Sequence, residues 1–165
     1  MKPLDITPAT AADIPVILGM IRALAEYERL AHLCIATETD LERQLFGEPR
    51  RAEVLLGREN GEPVCFALFF HNFSTFLARP GLYLEDLFVR PEARRRGYGR
   101  AMLVRLAQIA VERGCGRFEW SVLDWNAPAI AFYESLGATV MPEWRITRVT
   151  GPALSALARS GTSDG

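Results

Sequence analysis

Residues 82–100 read LYLEDLFVRPEARRRGYGR, an apolar run that ends in a turn rich in arginine and glycine. Residues 82–89 have the length and composition of a buried strand, and the apolar spacing that follows predicts a helix over 97–113. A helix that starts at such a turn presents free backbone N–H groups and the positive end of its dipole. The pattern therefore predicts an anion site suited to a pyrophosphate, to which the arginines add charge-assisted hydrogen bonds.

A plainer interpretation of this turn stays open. Glycines in a tight turn with arginines in solvent would produce the same pattern. The turn also lacks the third glycine of the dinucleotide-binding fingerprint and the lysine of a P-loop.

Glu85 and Asp86 stand next to each other within the apolar strand. Neighbouring residues of a strand face opposite ways, so at least one carboxylate is expected on the inner or cleft side. Carboxylates are rarely buried without a partner or a function, which makes the pair a candidate site.

Helical periodicity recurs before and after this strand. It predicts helices at 13–29, with Thr10 or Asp13 as the cap, and at 38–46, with Thr37 or Thr39 as the cap. A shorter helix is predicted at 128–135 and a terminal helical turn at 154–158.

Strand patterns occupy most of the remaining chain. Asn60-Gly61 predicts a hairpin turn, and Arg79-Pro80-Gly81 predicts a turn before the strand at 82–89. The other predicted strands lie at 4–7, 53–57, 64–70, 117–123, 138–141 and 144–149. This order predicts an α/β or α+β fold, with one domain at 1–158 and a disordered tail at 159–165.

The composition of the 165-residue chain excludes several classes of protein. Hydrophobic residues make up 49% and charged residues 24%, as in a globular domain, and the net charge of −1 argues against a general nucleic-acid binder. No apolar stretch approaches the ~20 residues that span a bilayer, and the first residues lack the apolar core of a signal peptide. The cysteines Cys34, Cys65 and Cys115 are odd in number and widely spaced, which favours a reduced, cytoplasmic interior over disulfides or a zinc site. We therefore expect a cytoplasmic domain without nucleic-acid, membrane or metal partners.

A second segment, DWNAPAIAFYESLGA at 124–138, reads as a short capped helix. Asn126 is placed to cap it, Pro128 lies in its first turn and Gly137 ends it. Tyr133, near its end, is by this pattern alone an amphipathic core residue.

Together these segments resemble the GCN5-related N-acetyltransferases (GNAT). Arg94-x-x-Gly97-x-Gly99 after a strand matches the family's Arg/Gln-x-x-Gly-x-Gly/Ala motif. The downstream Asn126-x-Pro128-Ala129-x-x-Phe132-Tyr133-x-x-x-Gly137 follows at compatible spacing. Further likeness to the diamine (spermidine/spermine) and thialysine acetyltransferases lies in TPATAAD at 7–13, AEYE at 25–28, YLEDLFV at 83–89 and Trp125-Asn126. The resemblance covers nearly the whole chain in order.

The resemblance implies a GNAT fold, with a mixed sheet of about six to seven strands, splayed central parallel strands and about four flanking helices. Acetyl-CoA would lie between the splayed strands, with no metal. The residues implied to bind it are the backbone of Leu87, Phe88 and Val89, the pyrophosphate loop Arg94, Arg95, Arg96, Gly97, Tyr98, Gly99 and Arg100, and Asn126, Ala127, Pro128 and Ala129 on the other side. The family usually has glycine at the position of Arg95, so we expect ordinary backbone angles there.

The resemblance also implies a reaction. Tyr133 would be the general acid that protonates the departing CoA thiolate. The positions implied to bind a cationic amine are Tyr27, Glu28, Glu85 and, at a further acidic position, Glu143. Glu85 would also pass a proton to water as an indirect base.

The expected activity is acetyl transfer from acetyl-CoA to a primary amine of a small polyamine, diamine or lysine-like amino acid, by direct attack in a ternary complex. The family further implies a homodimer, in which the apolar segment 144–157 could take part.

Three other functions stay open. Acetylation of a protein N-terminus or lysine would need an open groove, whereas Glu28 and Glu85 suit a small cation. A non-catalytic coenzyme A-sensing module could dispense with Tyr133. Nucleic-acid binding through the arginines would usually be accompanied by interleaved aromatic residues, which the cluster lacks.

Overall fold

The computed structural model describes residues 4–162, and the chain divides into two compact units, Met1–Ser121 and Val122–Gly165. The first unit holds a five-stranded sheet in the order β1-β2-β3-β4-β5. The strands are β1 (Asp5–Pro8), β2 (Glu53–Glu59), β3 (Glu62–Ser74), β4 (Arg79–Val89) and β5 (Arg117–Trp120). Neighbouring strands are antiparallel except β4 and β5, which are parallel. This confirms the predicted mixed sheet, with five strands among the described residues rather than six to seven.

Helices in the first unit follow the predicted periodicity. They are α1 (Ile14–Tyr27), α2 (Glu38–Leu41), which continues as a π-helical turn over Glu42–Phe46, and α3 (Tyr98–Glu112). Thr37 caps α2, since its hydroxyl accepts a hydrogen bond from the Asp40 N–H at 3.2 Å. Thr10 caps the 3-10 turn Ala11–Asp13 that leads into α1. The second unit contains α4 (Ala127–Ser135) and α5 (Gly151–Arg159), followed by a 3-10 turn over Ser160–Thr162. The rest of the predicted tail, 163–165, lies outside the described residues.

The two hairpins of the sheet test the turn predictions. Asn60 and Gly61 have φ of 54° and 85°, the left-handed values that a tight hairpin turn requires, so this prediction is confirmed. The predicted turn at 79–81 is wrong. Arg79, Pro80 and Gly81 pair with Ser74, Phe73 and Asn72, and the reversal lies at 75–78. Proline lacks only the N–H group, and the Pro80 carbonyl accepts a hydrogen bond from the Gly116 N–H at 2.8 Å.

Opposite faces of the sheet carry α1 and α3. The core under α1 joins Ile17 and Met20 to Val54 and Leu56 of β2 and to Phe66 and Phe88 of β3 and β4. On the other face, Phe69 of β3 lies 5.7 Å beneath the guanidinium of Arg113, which directly follows α3. The edges of this sheet are β1 and, on the other side, β5 together with the part of β4 that extends beyond the pairing with β5.

The predicted strands at 138–141 and 144–149 do not form, and the strand predicted to 123 ends at Trp120. Alternating residues predict which side chains share a face, but a strand also needs a partner strand. Trp144 and Ile146 are 75% and 71% exposed, so the segment lacks the burial that would stabilise it within the described chain.

Candidate active site

The parallel pair β4–β5 opens partway along β4. Residues Gly81–Leu84 pair with Arg117–Trp120, and the Tyr83 hydroxyl lies 2.8 Å from Ser121 Oγ at the end of this pairing. Beyond Leu84, β4 continues to Val89 with β3 on one side. In the described part of the first unit, no strand pairs with its other side. Backbone groups along this edge can therefore bond an extended ligand as a strand would.

A β-bulge at Glu85 coincides with this opening. Leu84 pairs with Phe69, and Asp86 pairs with Leu68, so Glu85 is an extra residue in β4. The bulge reverses the alternation of the strand, and Asp86 joins Leu68 and Phe88 on the face that packs against α1. The expectation that one carboxylate of the pair faces inward is thus met by Asp86, while Glu85 is exposed.

Three carboxylates interact electrostatically at the bulge. They are Glu28, at the C-terminal cap of α1, Glu85 and Asp86. Burial, then the charges of Glu85 and Glu28, raises the pKa of Asp86 to about 6. Burial and the charge of Glu85 also raise the pKa of Glu28. Among described residues, nothing donates a hydrogen bond or an ion pair to the Asp86 carboxylate. We call these three residues the carboxylate cluster; it is negative and partly buried, and no described residue supplies it with a counter-charge.

Arg94 contacts both a predicted amine-binding residue, Tyr27, and two predicted coenzyme-binding residues, Phe88 and Val89. Its guanidinium lies 5.0 Å from the centre of the Tyr27 ring and 5.7 Å from that of Phe88. Its Nε donates to the Val89 carbonyl at 3.1 Å. Tyr27 and Glu28 at the end of α1 therefore adjoin the open end of β4.

The turn before α3 has the form of an anion site. Gly97 caps the helix with φ of 80°, and none of the described side chains caps its first N–H groups. A Cβ at Gly97 would meet nothing within 4 Å, and one at Gly99 would meet only Val89 Cγ2 at 3.9 Å, so the surface above the helix N-terminus is open. These residues fit a pyrophosphate, which bonds to exposed N–H groups at a helix N-terminus.

The expectation of ordinary backbone angles at Arg95 is wrong. Arg95 has φ of 62°, in the left-handed region, where an L side chain crowds the backbone. The turn thus keeps a conformation suited to glycine although arginine occupies the position. The turn is bonded both locally, by Arg94 to the Val89 carbonyl and by Arg96 to the Glu92 carbonyl, and to Glu59 of another hairpin.

Some arginines of the turn are bonded to other protein groups, and others are available to bind a ligand. Arg96 is held by Glu59 at 2.7 Å and by the Glu92 carbonyl at 3.0 Å. Arg95 and Arg100 are exposed, and neither has a hydrogen bond or ion pair with another described residue. Glu59 carries no local signal in the sequence that would mark it as part of this site, because it lies 37 residues from Arg96.

The remaining predicted residues lie in the second unit. Asn126 caps α4 by accepting from the Ala129 N–H at 3.4 Å, and Ala127, Pro128 and Ala129 form the first turn. Tyr133 is half-buried, with its ring 5.5 Å from that of Phe132. Gly137 follows α4 with φ of 91°, as predicted for a residue that ends a helix. Glu143 is exposed in a stretch without helix or strand.

Comparison with known proteins identifies the family. The model of the Acetyltransferase (GNAT) family matches residues 18–138, well over half of the chain. The chain is a GNAT-family N-acetyltransferase. It is therefore an acyltransferase, and proteins of this family use acetyl-CoA as the acetyl donor.

Relatives of this acetyltransferase include enzymes named for amino acid substrates. It is 37% identical to an L-ornithine N5-acetyltransferase of Arabidopsis thaliana, over 90% of this chain and 85% of that protein. It is also 37% identical to a thialysine N-epsilon-acetyltransferase of Sus scrofa, over 93% of this chain and 96% of that one. An integron cassette protein of Vibrio cholerae shares its fold, with a TM-score of 0.81, 28% identity and coverage of 97% of this chain and 100% of that one.

Two features are absent from residues 4–162 of the acetyltransferase. No group of three or more His, Cys, Asp or Glu side chains could hold a metal ion. None of the described helices is both long and apolar enough to cross a membrane.

Proposed function

We propose that this acetyltransferase moves the acetyl group of acetyl-CoA to a primary amine of a small diamine, polyamine or lysine-like amino acid. The observation that carries the proposal is the carboxylate cluster, which is partly buried at the open edge of β4 and has no counter-charge from the residues that the structure describes. A substrate with a second positive charge would supply that counter-charge. The names of the two curated relatives, ornithine and thialysine acetyltransferases, support an amine at the end of an amino acid side chain.

In this proposal the coenzyme lies along the open edge of β4. The backbone of Leu87, Phe88 and Val89 binds the pantetheine arm and the acetyl group by strand-like hydrogen bonds. The N-terminal N–H groups of α3, with Arg94, Arg95 and Arg100, bind the pyrophosphate, supported by the uncapped helix start at Gly97. Asn126 and the first turn of α4 contribute the remaining contacts.

The reaction is direct attack within a ternary complex. The ammonium substrate first loses a proton, which Glu85 accepts through water. The neutral nitrogen attacks the thioester carbonyl carbon, the C–S bond breaks, and Tyr133 donates its proton to the departing thiolate. The acetylated nitrogen then loses its extra proton, which restores the proton of Tyr133. Tyr27, Glu28 and Glu143 contact the substrate rather than the reacting atoms.

A homodimer and a cytoplasmic setting complete the proposal. The large apolar residues of the segment 144–157 are exposed, and a second copy of the chain would bury them. Cys34, Cys65 and Cys115 are free thiols, which suits a reducing compartment. Light scattering on the purified chain checks the first point.

The test is release of free CoA thiol from acetyl-CoA with L-ornithine, thialysine, lysine, putrescine, spermidine and a basic peptide as acceptors. We expect turnover on a small amine, and we expect Tyr133→Phe to lower kcat by about 100-fold, as loss of a general acid does. Coenzyme A affinity should stay unchanged in that variant.

Other outcomes would redirect the proposal. Turnover on the peptide alone would indicate a protein acetyltransferase. Acetyl-CoA binding without any turnover would indicate a sensing module. Equal kcat in Tyr133→Phe would remove Tyr133 from the mechanism.

A further inference from the structure

Glu59 connects two residues of the turn that precedes α3. It is the last residue of β2, next to the Asn60–Gly61 hairpin turn. Its Oε2 accepts from Arg96 Nη1 at 2.7 Å, and its Oε1 accepts from the Tyr98 hydroxyl at 2.6 Å. One carboxylate from a remote hairpin thus holds the residues on both sides of Gly97.

The turn contains a residue in an unfavourable backbone conformation, which such a connection would stabilise. Both Arg95 and Gly97 have positive φ, of 62° and 80°. Glycine adopts this conformation freely, whereas arginine pays a steric cost, so Arg95 favours another backbone arrangement when nothing opposes it. Any such rearrangement would redirect the N–H groups at the start of α3.

The side chains bound to Glu59 have further contacts. Tyr98 is 5% exposed in the first turn of α3, and Arg96 also donates from Nη2 to the Glu92 carbonyl at 3.0 Å. Glu59 raises the pKa of the Tyr98 phenol through their hydrogen bond, which keeps the hydroxyl protonated as a donor. Arg96 neutralises the carboxylate, so Glu59 adds little repulsion toward an anion bound nearby.

We propose that Glu59 is a positioning residue for the coenzyme. Glu59 holds Arg96 and Tyr98, so that the turn keeps the left-handed conformation at Arg95. In that conformation the turn presents the N–H groups of α3 to a pyrophosphate. This inference rests on the proposed coenzyme site. It also changes one predicted role: Arg96 supports the turn instead of binding the phosphates. Besides Arg94, the charge that binds the phosphates comes from Arg95 and Arg100, which have no partner among the described residues.

The experiment measures the dissociation constant of coenzyme A by calorimetry, together with kcat and both KM values, for the wild type and Glu59→Gln. We expect about tenfold weaker coenzyme A binding and a matching rise in the KM for acetyl-CoA. The KM for the amine and kcat at saturation should not change, because the reacting groups lie elsewhere. Glu62→Gln is the matched control, since Glu62 pairs with Glu59 across the hairpin, is exposed and has no partner among described residues.

A double-mutant cycle with Arg95→Gly tests the reason for the effect. Glycine at position 95 adopts the positive φ without cost, so Glu59→Gln should weaken coenzyme A binding by no more than about threefold in the Arg95→Gly background. Because the effect of Glu59→Gln is measured separately in each background, the effect of losing the Arg95 charge cancels from the comparison. Tyr98→Phe, which deletes one of the two hydrogen bonds, should give a smaller loss than Glu59→Gln.

Specific outcomes would overturn the inference. It fails if the wild type binds coenzyme A and Glu59→Gln, folded by circular dichroism, binds it within twofold. An equal effect of Glu59→Gln in both backgrounds would also refute it. If Glu59→Gln does not fold, the inference fails when Tyr98→Phe binds coenzyme A as tightly as the wild type. A wild type that binds no coenzyme A would instead overturn the proposed function, and this inference with it.

Discussion

The turn before α3 and the carboxylate cluster beside α1 are both charged, but they are built in opposite ways. In the turn, Arg94 and Arg96 are bonded to the protein's own carbonyl and carboxylate groups, and the open surface consists of backbone N–H groups. In the cluster, Asp86 has no bonded partner among the described residues, and its charged neighbours have the same sign. The turn is thus preorganised, whereas the cluster keeps charge unsatisfied.

This difference suits the two proposed ligands. A pyrophosphate arrives as a permanent anion, so a rigid set of N–H groups can bind it without any change of protonation. An amine arrives as a cation and must lose a proton before it reacts, so its site needs carboxylates that attract the cation and one that accepts its proton. Predictions for the two regions should therefore differ in kind: affinity for the turn, and proton transfer and pH dependence for the cluster.

The largest effect is expected in the cluster. Glu85→Gln should lower kcat by about 100-fold, because the variant cannot accept the substrate proton. The KM for acetyl-CoA should stay within twofold, as measured by thiol release. Glu26→Gln, which changes an exposed carboxylate on α1, serves as the control and should behave as wild type. A rise in the acetyl-CoA KM with unchanged kcat would show that Glu85 belongs functionally to the coenzyme region.

A smaller effect is expected in the turn. Gly97→Ala places a Cβ in open space, so the new methyl group meets no neighbouring residue. Its backbone, however, must keep φ of 80°, which costs alanine about 1 kcal/mol of conformational free energy. We expect about fivefold weaker coenzyme A binding by calorimetry.

Gly61→Ala is a matched control for this change, since Gly61 has φ of 85° and the same open surroundings in a remote hairpin. Both variants should lose similar free energy of unfolding, but coenzyme A affinity should fall only in Gly97→Ala. Equal affinity in the two variants would contradict the placement of the coenzyme at this turn.

The smallest effect concerns stability and pH. The pKa of Asp86 is about 6 in the folded chain against 3.8 ordinarily, so between these values the folded state holds a proton that the unfolded chain has released. Stability therefore falls through this window as pH rises, and at pH 7.5 the ionised group is destabilising. Asp86→Asn should raise the free energy of unfolding at pH 7.5 by on the order of 1 kcal/mol, with little gain near pH 4.

Urea unfolding of both proteins across this pH range measures the difference. A gain that is the same at every pH would show that it does not come from the ionisation of Asp86.

Local signals predicted much of the fold. Apolar periodicity and caps indicated α1, α2, α3 and α4, because these features depend on residues within one or two turns of each other. The Asn60–Gly61 hairpin was equally local. The strands at 138–141 and 144–149 were wrong because alternation does not state whether a partner strand exists. The turn at 79–81 was wrong because the pairing of Pro80 depends on β3 and on Gly116, which are distant in sequence.

The candidate site shows the same division. The sequence by itself determined the family motifs, the glycine turn that opens α3 and the presence of two adjacent carboxylates in β4, since these are properties of contiguous residues. Only the tertiary structure decided that a bulge at Glu85 turns Asp86 toward Glu28, that Arg95 is left-handed, and that Glu59 holds Arg96 and Tyr98. Each of these depends on the register between strands or on contacts between distant segments, and side-chain proton affinity follows from the burial and charges that such contacts create.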